Sequence, residues 1–306
     1  MIRVANAPVS YGVFELTAGG VDDLPSAERL LDAVAQAGYG GIDLGPPGYL
    51  GDVGALPDRL ASRGLGLAGG FVAMRFLEPD GFRDDLAALD EALDLFTVAA
   101  GLEADRSWYP KPTLADAGSP ERDANPGRGR DLDEIRLDDA GWRRVAGRVT
   151  EAAGRCRARG LEPTFHHHLC TYVEAPREIE QLLDRTDVGL CLDTAHLLLG
   201  GGDPVQAMRD WGDRVNHVHV KDARPDVMRD VVADQAGMEA VWRRGAFCEL
   251  GAGSVDVDGF LSAMRRDGYA GWLVVEQDRI LSPGESLSAP VSAQRRNRAF
   301  LRERGL

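Results

Sequence analysis

The chain has 306 residues and six histidines, all between positions 166 and 219. His166, His167 and His168 end one apolar run. The run VGLCLD ends in Asp193, with His196 just beyond it. The run VNHVHV carries His217 and His219 and leads into Lys221 and Asp222. A fourth run, WLVVE, ends in Glu276, followed by Gln277 and Asp278. Imidazoles and carboxylates gathered this way are a ligand set for a divalent ion such as Mn, Co, Zn or Fe, with Mn or Co expected first. Alternate residues of an extended chain share a face, so His166 pairs with His168 and His217 with His219. One of each pair suffices for a metal; the other is left to bind substrate or to orient a ligand. Each residue alone has an ordinary reading. Asp193 ahead of a helix is a cap, Glu276 a surface carboxylate, His196 a packed helix residue and His217 a wall residue. The set is what points to metal chemistry.

These residues need a scaffold that brings strand ends together. Apolar periodicity predicts strands at Ile2–Val9, Gly41–Gly45, Leu65–Val72, Lys111–Ala117, Leu161–His168, Val188–Leu192, Val215–Val220 and Trp272–Glu276. Helical spacing falls between them, at Leu24–Gly38, Pro57–Gly64, Phe82–Ala100, Asp139–Arg159, Pro176–Arg185, Asp203–Gly212, Asp226–Arg243 and Asp256–Gly268. A basic helix over Ala289–Arg304 closes the chain. Eight alternations without a break in composition predict one α/β domain, a (β/α)8 TIM barrel over residues 1–306. Such barrels carry their chemistry at the C-terminal ends of the strands, where the residues above lie. Asp116–Asp133, rich in Gly, Pro, Asp and Arg, reads as a long mobile loop and a lid for that face.

Composition narrows the partners. Apolar residues make up 44% and charged residues 27%, which is usual for a globular chain. A net charge of -14 repels phosphate backbones, so no nucleic-acid partner is expected. No GxGxxG or GxxxxGK[ST] motif follows a strand, which leaves nucleotide binding without support. The four cysteines, Cys156, Cys170, Cys191 and Cys248, form no CxxC pair and read as core residues in a reducing compartment. No leader-like segment opens the chain, and no run nears the ~18 apolar residues of a membrane span. A cytoplasmic protein with no membrane partner is expected; formation of a homo-oligomer stays open.

The motifs FHHHLCTYVE (Phe165–Glu174), LCLDTAH (Leu190–His196), DRVNHVHVKD (Asp213–Asp222) and GYAGWLVVEQD (Gly268–Asp278) resemble the inosose dehydratase branch of the xylose-isomerase-like barrels. NAPVSYGVFE (Asn6–Glu15) and GYGGIDLG (Gly38–Gly45) fit as well. The resemblance covers nearly the whole chain and is thin from about Phe82 to Arg136. It implies Asp193, His219 and Glu276 as metal ligands, with His166 as the fourth and His168 as its substitute. Two departures, Tyr11 in place of Trp and Ala252 in place of an acid within LGAGSVD, fall on loops expected to touch substrate.

The resemblance further implies a lyase that dehydrates a polyhydroxy ketone, such as 2-keto-myo-inositol, through an enediolate. A divalent metal polarises the carbonyl. Glu276 or a strand-five histidine, His166 or His168, removes the α proton. Lys221 or His196 protonates the departing oxygen. An isomerase or epimerase would use the same site. A phosphodiester-cleaving enzyme is disfavoured by the charge and by the lack of extra histidine ligands. A non-catalytic sugar-binding barrel is disfavoured by the intact ligand set.

Overall fold

In the computed structural model, residues 1–14, 17, 24–282 and 284–306 are described. Nine parallel segments form one ladder: β1 (Ile2–Asn6), β2 (Gly41–Ile42), β3 (Gly66–Leu67), β4 (Gly69–Met74), β5 (Lys111–Asp116), β6 (Thr164–His166), β7 (Gly189–Asp193), β8 (Val215–Val220) and Gly271–Val275. A short antiparallel hairpin of β9 (Asp222–Ala223) and β10 (Phe247–Cys248) precedes the last of them, which is β11. β3 and β4 are two halves of one run. Ala68 between them donates to Ile42 O at 2.8 Å and accepts from Lys111 N–H at 3.0 Å, carrying the ladder from β2 across to β5. β1 pairs with both β2 and β11, which closes the ring as an eight-stranded barrel.

Local chemistry fixes the helices around it. Ser26 accepts the Arg29 N–H at the start of helix Ala27–Ala37, and Gly38 ends that helix in the left-handed region. Asp138 caps Asp139–Ala158 through Gly141 N–H at 2.7 Å. Leu30, Leu31 and Val34 on the first helix, and Val145 and Val149 on the other, are fully buried in the layer between helices and strands. The barrel interior is small by comparison: Ala5, Ala7, Ala68 and Val274 line it, and Trp272 plugs its N-terminal end. Trp272 fits because Gly41 and Gly66 lack side chains; a Cβ at Gly41 would stand 2.6 Å from the indole.

The structure departs from the sequence reading at several places. The strand beginning at Ile2 ends at Asn6, where Pro8–Tyr11 turns into a 3-10 helix. The helix expected over Asp226–Arg243 is two, Pro225–Ala233 and Met238–Arg243, parted at Gln235, which has φ 54. With the hairpin, they enclose a satellite core of Leu169, Met228, Val231, Val241 and Phe247.

The segment Asp116–Asp133 is also more ordered than its composition suggests. It contains the helix Pro120–Asp123, and Arg122 is fully buried between Glu174 and Glu178. Glu174 accepts Gly127 N–H at 2.7 Å, Gly129 N–H at 3.0 Å and Cys170 N–H at 3.0 Å. A buried ion network therefore ties this segment to the loop after β6. Among the described residues, no helix is long and apolar enough to cross a membrane.

Candidate active site

The strand ends converge on one cavity of about 360 Å³ at the C-terminal face of the barrel. Its floor carries Asp43, His166, His168, His219, Lys221, Glu276 and Asp278. Asp193 lies against the same floor, fully buried.

Asp193 divides its carboxylate. Oδ1 accepts Ala195 N–H at 3.0 Å and His196 N–H at 2.9 Å, capping helix Thr194–Leu199. Oδ2 turns to the cluster, 3.4 Å from His166 Nε2, 3.8 Å from His219 Nδ1 and 3.2 Å from Lys221 Nζ. The cap and the cluster thus use different oxygens. His219 Nδ1 also stands 3.1 Å from Glu276 Oε2, and its Nε2 stands 3.6 Å from Asp43 Oδ2. Lys221 reaches Glu276 Oε2 at 2.7 Å and Asp278 Oδ1 at 2.8 Å.

Burial would strip Lys221 of its proton, but Asp193, Asp278 and Glu276 outweigh it and hold the ammonium well above the usual lysine range. Burial would likewise raise Asp193 and Glu276; Lys221 and the histidines hold both carboxyls well below the usual range. Asp278 goes the other way, pushed up to about 6 mainly by burial. Burial drives His168 down to about 4 and His166 and His196 well below their ordinary value, so all three are neutral imidazoles at neutral pH.

One hydrogen bond fixes the tautomer of His168. His168 Nδ1 donates to Leu169 O at 2.7 Å, leaving Nε2 as an open lone pair. His196 Nδ1 faces Leu169 N–H at 3.3 Å, while its Nε2 stands 3.1 Å from Lys221 Nζ and 3.3 Å from Asp278 Oδ2.

His166, His168, Asp193, His196, His219, Lys221 and Glu276 are therefore together. His217 is buried within the barrel and does not line the cavity. His167 turns away from the cavity and accepts the Asp193 N–H at 3.1 Å. Asp43 and Asp278 belong to the floor and were not singled out as site residues from sequence. Asp43 was findable, since it follows the short run GI of β2 just as Asp193 ends VGLCLD.

Tyr11 and Ala252 do not touch the cavity. Tyr11 is fully buried in the core. The Ala252 loop wraps Asp222, whose carboxylate accepts the N–H groups of Gly251, Gly253, Val255 and Ala223. Glu15, which ends the N-terminal motif, lies outside the described residues.

A family model described as the xylose isomerase-like TIM barrel matches residues 31–304. The chain belongs to the xylose isomerase-like TIM barrel family. It is similar to an inosose dehydratase of Geobacillus kaustophilus (strain HTA426), 30% identical over 281 residues that cover 90% of this chain and 87% of the relative. It is also similar to the rhizopine catabolism protein MocC of Rhizobium meliloti, 33% identical over 91% of this chain and 82% of that one. A solved structure of the IOLI protein with a bound zinc atom shares the fold, at a TM-score of 0.68, 13% identity and 96% coverage of each chain.

Proposed function

We propose that this barrel is a divalent-metal-dependent hydro-lyase that dehydrates an inosose such as 2-keto-myo-inositol. The observation carrying this reading is one cavity floor that joins a carboxylate–imidazole set to a neutral base and a buried ammonium. Full-length similarity to inosose dehydratases at 25–30% identity supports loss of water as the outcome.

The residues fit a metal. Ligand atoms of Asp193, His219 and Glu276 lie within 4.8 Å of one another, as do those of His166, Cys191 and His219. Both ring nitrogens of His219 and Nδ1 of His166 are buried without a hydrogen-bond partner. Asp193, His219, Glu276 and His166 would hold the ion, which supplies Lewis-acid polarisation of the keto oxygen. Manganese or cobalt suits this oxygen- and nitrogen-rich set.

The reaction removes the proton on the carbon beside the ketone. Two groups are placed to take it, the Glu276 carboxylate and the open Nε2 of His168. The hydroxyl one carbon further departs with a proton from the Lys221 ammonium, which Asp278 and His196 flank. One water is lost, and the enol left behind tautomerises to a diketone. Isomerisation or epimerisation would return the proton to carbon instead, from the same enediolate.

The test is turnover of 2-keto-myo-inositol by protein stripped of metal and then reloaded with manganese, cobalt or zinc. A product lacking one water, formed only after reloading, is expected. No such product with any of the three ions overturns the reading.

A further inference from the structure

Above its charged floor, much of the described cavity wall is apolar. Val9 and Phe14 come from the chain after β1, Pro46 from the loop after β2 and Phe71 from β4. Met238 and Trp242 come from the short helix Met238–Arg243. Phe14 and Trp242 meet edge to face with centroids 5.3 Å apart.

Among the described residues, three of the polar side chains at this level already hold hydrogen bonds within the protein. Thr171 Oγ1 donates to His168 O at 2.8 Å and accepts Val173 N–H at 3.1 Å. Ser119 Oγ accepts Arg122 N–H at 3.2 Å. Asp116 Oδ1 accepts Gly118 N–H at 2.8 Å and Tyr172 N–H at 3.1 Å. Asp123 lies at the exposed rim. A ligand hydroxyl raised to this level would give up water and gain little in return. The 360 Å³ volume falls among pockets that bury whole organic ligands, about 300–1,000 Å³.

We propose that the preferred substrate is a keto-polyol bearing an apolar alkyl or aryl group through an ether oxygen. This rests on the dehydration reading and adds the substrate class. The keto-polyol ring occupies the charged floor. The apolar group packs against Phe14, Met238 and Trp242, where aromatic faces and a pliable thioether accept groups of differing shape.

The experiment compares 2-keto-myo-inositol, its O-methyl ether and its O-benzyl ether on the metal-loaded protein, by kcat/KM and by calorimetric binding. Burial gains roughly fourfold per methylene-sized group, so the benzyl ether is expected to exceed free inosose at least tenfold. In the Trp242→Ala protein that preference should fall towards unity. Equal kcat/KM and equal affinity for all three compounds overturn the proposal, as does an undiminished preference in Trp242→Ala. If none of the three is dehydrated, the dehydration reading fails, and the affinities alone decide whether the upper wall selects an apolar group.

Discussion

Lys221 places its ammonium 2.7 Å from Glu276 Oε2 and 3.2 Å from Asp193 Oδ2, so one buried lysine bridges the two carboxylates proposed to hold the metal. Its other neighbours are Asp278, at 2.8 Å, and His196 Nε2, at 3.1 Å. Lysine and ion balance the same negative charge, and Asp278 gives the lysine a partner of its own.

Lys221→Met is expected to lower kcat at least 100-fold, in line with the usual worth of a positioned acid, about 10²–10⁴. It also leaves buried carboxylates uncompensated, a loss of about 3–5 kcal/mol in comparable cases. A bound cation should recover part of that loss. Thermal unfolding with and without manganese tests this: the variant should gain more from the metal than the wild type does.

Asp193 separates its two roles under substitution. Asp193→Asn keeps an oxygen for the cap over Ala195 and His196 but removes the charge facing His166 and His219. Asp193→Ala removes both. Both variants should lose divalent metal, and the alanine protein should be about 1 kcal/mol less stable than the asparagine protein, the typical worth of a cap. Full metal occupancy in Asp193→Ala would remove this residue from the ligand set.

Arg122 is the cation of the buried network that anchors the segment after β5. Arg122→Met strands Glu174 and Glu178 without it, at about 3–5 kcal/mol. Limited proteolysis should cut the variant between residues 117 and 136 well before the wild type. Equal resistance would show that the segment holds by packing alone.

Burial pushes the Asp116 carboxyl up to about 6, against the pull of its two N–H donors and of Arg122 and with a push from Glu178. A folded state that holds this proton more tightly is most stable below the ordinary value of 3.8 and loses that advantage as pH rises to about 6. The loss is on the order of 3 kcal/mol. Asp116→Asn keeps the acceptor for Gly118 and Tyr172 and removes the ionisation. Denaturation midpoints across pH 4–7, an interval of the order set by that shift, should fall less steeply in the variant. Parallel curves would contradict it.

The barrel and most of its floor were legible in the sequence because both follow from alternation. Parallel strands buried on both faces read as apolar runs, and His166, Asp193, His219 and Glu276 stand at or beside their ends. Asp43 escaped notice because β2 spans two residues, too few to announce a strand. The hairpin of β9 and β10 escaped for the same reason.

Segment 116–133 borders the cavity, as its place after β5 implied, but its packing comes from partners distant in sequence. Arg122 meets Glu174 across 52 residues and Glu178 across 56, and local composition carries no trace of such pairings. Tyr11 and Ala252 were placed near substrate from their motifs, whereas the fold spends Tyr11 on core packing and Ala252 on the loop around Asp222.

The most direct test of dehydration is the reaction of 2-keto-myo-inositol with the metal-loaded protein in D2O, followed by NMR and ultraviolet absorbance. Expected is a product one water lighter, absorbing as an enone or dione, with its formation abolished in Glu276→Gln. Deuterium entering recovered or rearranged ketose, with no water lost and no new absorbance, would contradict dehydration and identify an isomerase or epimerase.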